Sequence, residues 1–146
     1  MRILVDGDAC PVKKEVCRIA ADYDLKVIIF QSTAHWSIDK SEAEYITVDS
    51  SYQAVDIKII NQVKKGDIVI SNDYGLVSLV LKKDAYALSS YGKIFSEEII
   101  DYLLAKRHFS AKLRRQGKYL SGPSKYSRED RDNFKHNLIS LIEKIR

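Results

Sequence analysis

The chain has 146 residues, of which 45% are hydrophobic and 30% are charged, with six glycines and two prolines. A chain of this length buries about 68% of its unfolded surface, so the composition predicts one folded domain and excludes a fibrous or low-complexity protein. Unbroken apolar runs such as residues 27–30 are far shorter than the roughly 18 residues that a membrane span needs. The opening MRILVDGDACP lacks the apolar stretch of a secretory signal, so we expect a cytoplasmic protein with no membrane partner.

The formal net charge of +4 is unevenly distributed along the chain. Residues 1–105 carry 12 Lys and Arg against 16 Asp and Glu, a balance of −4, whereas residues 106–146 carry 12 against 4, a balance of +8. A basic tail on an acidic body is typical of a protein that meets a polyanion through the tail. The alternative is an ordinary helix whose basic side chains are solvated.

Apolar clusters bounded by turn residues predict an alternation of strands and helices. Strands are predicted at residues 2–6, 25–30, 45–49, 67–71 and 86–88. Helices are predicted at 11–22, 52–64 and 76–82, and another begins at Ser96. A loop follows Gln116 and Gly117, and a final helix after this loop runs to Arg146. The polar segment 31–44 predicts a long surface loop. This alternation favours an α/β fold with a mostly parallel sheet of about five strands and helices on both faces. Residues 106–146 would form a basic helical appendage that packs on this single domain.

Carboxylates stand at the ends of two predicted strands. Asp6 and Asp8 follow the first strand and Asp73 follows the fourth, while Asp56 lies early in the helix after the third strand. Ligands of parallel α/β sheets bind at the carboxyl ends of the strands, where the strand order reverses. We therefore expect these four side chains to converge at one edge of the sheet. The alternative is that Asp8 and Asp73 only cap the helices that follow them.

Clustered carboxylates repel one another unless a cation neutralises them. Oxygen ligands with room for water suit Mg²⁺ or Mn²⁺ rather than zinc, and the three histidines lack the spacing of zinc ligands. Cys10 and Cys17 are expected to be small buried thiols. The alternative for Cys10 is a thiol of lowered pKa near a helix N-terminus.

Four segments together resemble one protein family. VDGDACPVKKEV, AVDIKIINQV, DIVISNDYGLVSLVL and GPSKYSREDRDNF are similar to the YaiI/YqxD family of bacterial proteins, and the similarity covers nearly the whole chain. The fold of that family is grouped with the PIN-like nucleases, so the resemblance implies a PIN-like domain with Asp6, Asp8, Asp56 and Asp73 as its acids. In the tail it covers Arg107, Arg114, Arg115, Gly122, Pro123, Asp130 and Arg131. The chain departs from the family at Gln53, where many relatives have an acid, and at Tyr91, where many have arginine.

The function we expect from the resemblance and the charges is a Mg²⁺- or Mn²⁺-dependent nuclease whose expected substrate is RNA. The cation activates water that attacks a phosphodiester, and all four aspartates are candidates for both catalysis and metal binding. The expected nucleic-acid contacts are Arg107, Lys112, Arg114, Arg115, Lys118, Lys125, Arg128 and Arg131. Asp6-Gly7-Asp8 also matches the D-x-D of haloacid-dehalogenase phosphatases, although Cys10 stands where that pattern has threonine or valine. The third hypothesis is a non-catalytic RNA-binding module.

Overall fold

A computed structural model describes residues 1–8, 10–32, 43–49, 53–117 and 125–146. Strands and helices alternate along these ranges. The strands are β1 (Arg2–Asp6), β2 (Lys26–Ser32), β3 (Glu44–Val48), β4 (Ile68–Ile70) and β5 (Tyr86–Leu88); the helices are α1 (Lys13–Asp22), α2 (Ala54–Gln62), α3 (Tyr74–Lys82), α4 (Glu97–Arg115) and α5 (Arg128–Ile145).

The five strands form one sheet in the order β3-β2-β1-β4-β5, and each neighbouring pair is parallel. The chain builds the sheet outward from β1 through β2 to β3, and then returns to add β4 and β5 on the other side. The strand order therefore reverses between β1 and β4, which is where α/β sheets bind their ligands. The predicted α/β class with a parallel sheet of five strands is confirmed.

Both faces of the sheet are covered, because alternate residues of each strand point to opposite sides. On β1, Ile3 and Val5 pack with α1 and α5, whereas Leu4 packs with α2, α3 and α4. All three side chains are fully buried. These strands are apolar on both faces, as expected for a parallel sheet between two layers of helices.

The predicted C-terminal helix is present and completes one of the two cores. Phe134, Leu138 and Ile142 of α5 are fully buried and pack with the core residues of β1 and α1. Ser127 caps α5 through a capping box with Asp130, which satisfies backbone N–H groups at the helix start. Residues 106–115 belong to the second half of α4, so the basic segment begins inside that helix.

Some element boundaries differ from the predictions. Helix α1 begins at Lys13 rather than Pro11, and β2 runs on to Ser32, so Gln31 and Ser32 are buried strand residues rather than part of a loop. The pairing of β2 with β3 explains the longer strand, because Gln31 lies opposite Thr47. Residues 33–42 of the predicted loop, which include His35 and Trp36, lie outside the described residues.

Within the described ranges, no helix combines the length and the apolar character that crossing a bilayer requires.

Candidate functional site

The ends of β1 and β4 meet at the reversal of strand order and bring two carboxylates together. Asp6 is the last residue of β1, and the hydroxyl of Ser71, directly after β4, donates a hydrogen bond of 3.0 Å to its Oδ2. The backbone N–H of Asp73 donates to the same Ser71 oxygen over 3.0 Å. Ser71 is buried, and its hydroxyl connects the two strand ends through these two hydrogen bonds.

Asp73 caps the helix that follows it, as the structural alternative predicted. Its Oδ1 accepts the backbone N–H of Gly75 over 2.9 Å and of Leu76 over 3.2 Å. These two bonds use Oδ1, and hold the carboxylate at the start of α3, beside Asp6. The capping role therefore orients the side chain toward the site.

Asp8 is held by the neighbouring strand. Its Oδ1 accepts the backbone N–H of Ser32, at the end of β2, over 3.1 Å. Helix α1 has Val12 at its N-cap position, so Asp8 is not the N-cap residue that the alternative required. Gly7 makes this arrangement sterically feasible, because a Cβ there would lie 2.7 Å from the carbonyl oxygen of Phe30.

Two of the four carboxyl groups of the site have raised pKa values. Burial raises the pKa of Asp6 to about 6, opposed by the hydrogen bond from Ser71 and assisted by the charges of Asp8 and Asp73. Burial also raises the pKa of Asp56 to about 7, together with repulsion by Asp73 and a hydrogen bond between the Asp56 and Asp73 carboxyl groups. The four predicted aspartates are therefore electrostatic neighbours at one edge of the sheet.

Three of these carboxylates line a small cavity, which we call the acidic cavity. Its volume is about 140 Å³, and its lining consists of Asp6, Asp8, Cys10, Ile70, Ser71, Asn72, Asp73 and Ser90. Among the residues that the structure describes, no three His, Cys, Asp or Glu side chains stand in a ready coordination arrangement for a metal ion. The cavity therefore gathers oxygen donors without forming a closed cation cage.

A second depression, the basic groove, lies beside the acidic cavity. It has a volume of about 250 Å³ and is lined by Tyr74, Leu103, Lys106, Arg107, Ser110 and Arg114. Tyr74 opens α3, while Leu81 at the other end of that helix lies near Ile100 of α4. Helix α4 therefore runs antiparallel to α3, and its basic second half reaches the same sheet edge as Asp73.

A third depression connects the other two. It shares Asn72 with the acidic cavity and Tyr74 with the basic groove, and it also contains Ser89, Tyr91, Lys93 and Phe95. Asn72 is fixed by two hydrogen bonds to Ser90, one given by its side-chain amide over 2.8 Å and one accepted from the Ser90 backbone over 2.9 Å. The three depressions are therefore neighbours, linked through Asn72 and Tyr74, between the carboxylates and the cations.

The start of α5 borders the acidic cavity on another side. The hydroxyl of Tyr126 donates to the carbonyl oxygen of Ser90 over 2.7 Å, and its ring packs edge to face against Tyr91 at 5.1 Å. Arg131 donates to the carbonyl oxygen of Pro11 and forms a 2.7 Å ion pair with Glu15 of α1. This ion pair joins α5 to α1 and compensates the charge of Arg131.

The predicted nucleic-acid residues occupy different places. Arg107 and Arg114 line the basic groove, and Arg131 is ion-paired as described. The exposed members outside the groove are Lys112, Arg115, Lys125 and Arg128, whereas Lys118 lies outside the described residues.

Sequence reasoning missed several residues of these depressions. Lys106 and Ser110 were not singled out, although they lie three and seven residues after the buried Leu103, on one helix face with Arg107 and Arg114. Ser90, which binds Asn72 and lines the acidic cavity, was not singled out either. For Cys10, the alternative of a lowered thiol pKa was wrong, because burial raises it.

This geometry defines a class of protein. It is a parallel α/β protein with carboxylates where the strand order reverses and a basic groove beside them. The family model described as "Uncharacterized BCR, YaiI/YqxD family" matches residues 4–144. A UPF0178 protein of Clostridium tetani is 46% identical over 146 residues, covering 100% of this chain and 99% of the relative. A UPF0178 protein of Clostridium kluyveri is 45% identical over 142 residues, covering 97% and 93%. No solved structure matches the chain. The chain belongs to the YaiI/YqxD family.

Proposed function

We propose that this protein is a nuclease that depends on a divalent cation and cleaves single-stranded RNA. The observation that carries the proposal is that the acidic cavity and the basic groove are neighbours, each sharing a lining residue with the depression between them. A phosphodiester backbone needs cations along its length and a polar centre at the bond that breaks. Tyr74 follows directly after Asp73, so these two requirements are met by adjacent residues.

The acidic cavity suits Mg²⁺ or Mn²⁺ by the chemistry of its donors. Its ligating groups are carboxylates, which these hard cations prefer. Burial, assisted by the charges of Asp8 and Asp73, raises the pKa of Asp6, and a bound cation would stabilise the ionised form that burial disfavours. Mg²⁺ keeps several of its waters and binds through one or two carboxylates, so it needs no closed cage. Asp6 and Asp73 would hold the cation, and Asp8 and Asp56 would bind it directly or through water. When bound, the cation supplies charge stabilisation for the transition state and a more acidic water.

The remaining residues would bind and orient the strand. Arg107 and Arg114 would contact phosphates, and Lys106 adds a third cation to the same groove. Tyr74 and Tyr91 lie along the connecting depression, where unpaired bases could stack on them. Exposed bases favour a single strand, and the hydroxyl of Ser110 offers a partner for a ribose 2′-hydroxyl.

The test is cleavage of end-labelled single-stranded RNA by the wild type and by Asp73→Asn, with Mn²⁺, with Mg²⁺ and with EDTA. Asparagine keeps the oxygen that caps α3, so the variant should fold. The substitution removes one negative charge from the proposed cation site. We expect cleavage to need metal and to fall at least about a thousandfold in the variant, since several kcal/mol of transition-state stabilisation are lost. Asp22→Asn, an exposed change at the end of α1, is the matched control and should cleave normally.

Other outcomes would point elsewhere. Hydrolysis of para-nitrophenyl phosphate without RNA cleavage would favour the phosphatase, in which Asp6 is the nucleophile and Asp8 the general acid. RNA that is bound but uncut under all conditions would favour the non-catalytic binding module. Cleavage that persists undiminished in Asp73→Asn would contradict the proposed site.

A further inference from the structure

Helix α4 has a second face, distinct from the basic groove, that is exposed along its length. Five exposed residues repeat at intervals of four, three, four and three: Glu98, Tyr102, Ala105, Phe109 and Lys112. This spacing places them on one side of the helix. The side chains of Tyr102 and Phe109 are 66% and 58% exposed, which is a large apolar surface for one helix face. Exposed aromatic side chains aligned in this way are typical of a surface that meets another protein.

The charges of α4 indicate which protein fits this face. The acidic residues lie in the first half of the helix, namely Glu97, Glu98 and Asp101; the basic residues lie in the second half, namely Lys106, Arg107, Lys112, Arg114 and Arg115. On the exposed face itself, Glu98 lies near the start of the helix and Lys112 near its end, so a second α4 laid antiparallel would set Glu98 of each helix against Lys112 of the other. The helix is therefore complementary to itself in one orientation and repels itself in the parallel one.

We propose that two copies of this chain form a homodimer through the exposed faces of their α4 helices, packed antiparallel. The two-fold axis passes beside Ala105, whose small side chain lets the two helices approach closely. Tyr102 of each copy then lies next to Phe109 of the other. Glu98 of each copy pairs with Lys112 of the other, so every contact occurs twice, as an isologous interface requires.

The dimer leaves the proposed RNA surface open. Leu103, Arg107 and Arg114 line the basic groove on a different side of α4 from Tyr102 and Phe109. Lys112, assigned to nucleic acid in the sequence analysis, stands on the dimer side instead. One helix face is a small interface, so we expect a monomer–dimer equilibrium that depends on concentration.

Charge reversal provides the test, with sedimentation velocity measured over rising concentrations of the full chain. Glu98→Lys and Lys112→Glu should each raise the dissociation constant at least about tenfold, because like charges then face each other. The double variant Glu98→Lys/Lys112→Glu should restore association, because the opposite charges meet again in the antiparallel arrangement. Phe109→Ser should weaken association, whereas Ile57→Ser, an equally exposed change on α2, should not.

A disulfide gives a second measurement. Ala105→Cys should form a covalent dimer on mild oxidation, with the wild type as control for Cys10 and Cys17. A wild type that stays monomeric at its highest soluble concentration would overturn the proposal. A dimer that tolerates both single reversals, or one that the double reversal fails to restore, would overturn the antiparallel interface. None of these results depends on nuclease activity or on added metal.

Discussion

Ser71 donates its hydroxyl proton to the Asp6 carboxylate over 3.0 Å, and this bond joins the carboxyl ends of the two strands between which the strand order reverses. The same hydroxyl oxygen accepts the N–H of Asp73. One serine therefore sets the spacing of two carboxylates that lie far apart in sequence. It also partly offsets the rise in the pKa of Asp6 that burial causes.

Asp6→Asn should stabilise the metal-free protein at pH 8. The pKa of Asp6 rises from 3.8 to about 6 on folding, so the folded chain binds the proton more tightly than the unfolded chain does. The resulting stabilisation is fully present below about pH 4 and is lost as the pH rises through about 6. Because asparagine stays neutral, we expect the free energy of unfolding at pH 8 to exceed that of the wild type by roughly 1 to 3 kcal/mol.

Urea unfolding in EDTA at pH 4 and pH 8 measures this effect. The difference between the two proteins should shrink toward zero at pH 4, and exposed Asp22→Asn should show no such pH dependence. If Asp6→Asn and the wild type were equally stable at pH 8, the ionised Asp6 carboxylate would not destabilise the folded protein.

Mn²⁺ or Mg²⁺ should raise the unfolding temperature of the wild type, because a ligand of the native state stabilises it. At a hundred times its dissociation constant a ligand adds about 2.7 kcal/mol, which corresponds to roughly 5 to 10 °C for a chain of this length. Asp6→Asn and Asp73→Asn should each abolish the rise, as followed by thermal circular dichroism. Asp22→Asn should keep it. A metal response unchanged in both site variants would place the cation elsewhere.

Gly92→Ala should destabilise the protein more than Gly66→Ala. Both glycines have positive φ, 91° and 87°, so each alanine carries a similar backbone penalty of about 1 to 2 kcal/mol. A Cβ at position 92 would also lie 2.9 Å from the backbone of Asn133 in α5, whereas nothing lies within 4 Å of one at position 66. We expect the extra contact to add roughly 1 to 3 kcal/mol, measured by urea unfolding. Equal losses of unfolding free energy in the two variants would mean that α5 moves away from the added Cβ at no energetic cost.

The topology and the convergence of the aspartates were predictable because both follow from local patterns. Apolar clusters alternate with helical periodicity, and strands joined in that way are parallel, so Asp6 and Asp73 had to reach the same edge. The direction of α4 had no such signal. It depends on Ile100 and Leu103 packing against α3, and this long-range contact is what brings Arg107 and Arg114 beside Tyr74.

Other features could not be predicted from the sequence because they also depend on long-range contacts. Strand β2 extends to Ser32 because it pairs with β3, and nothing in QS itself favours a strand. Arg131 has the appearance of a phosphate ligand in the basic segment, yet its partner Glu15 lies 116 residues away in sequence. Pairings at such distances are tertiary information, which neither charge counts nor periodicity contain.

Removing two cations from the basic groove should lower the salt dependence of RNA binding. Each phosphate that a single strand neutralises contributes about 0.7 to the slope of log affinity against log salt concentration. If Arg107 and Arg114 each contact one phosphate, Arg107→Gln/Arg114→Gln should reduce the slope by about 1.4. Fluorescence anisotropy with labelled single-stranded RNA, measured in EDTA so that nothing is cut, gives the slope.

The matched control is Lys65→Gln/Lys144→Gln, which removes the same charge from two exposed positions outside the groove. Its affinity should fall only slightly and its slope should stay near that of the wild type, because the change in net charge is distant from the strand. Equal losses in the two double variants would mean that RNA responds to net charge alone, and the basic groove would then have no special role.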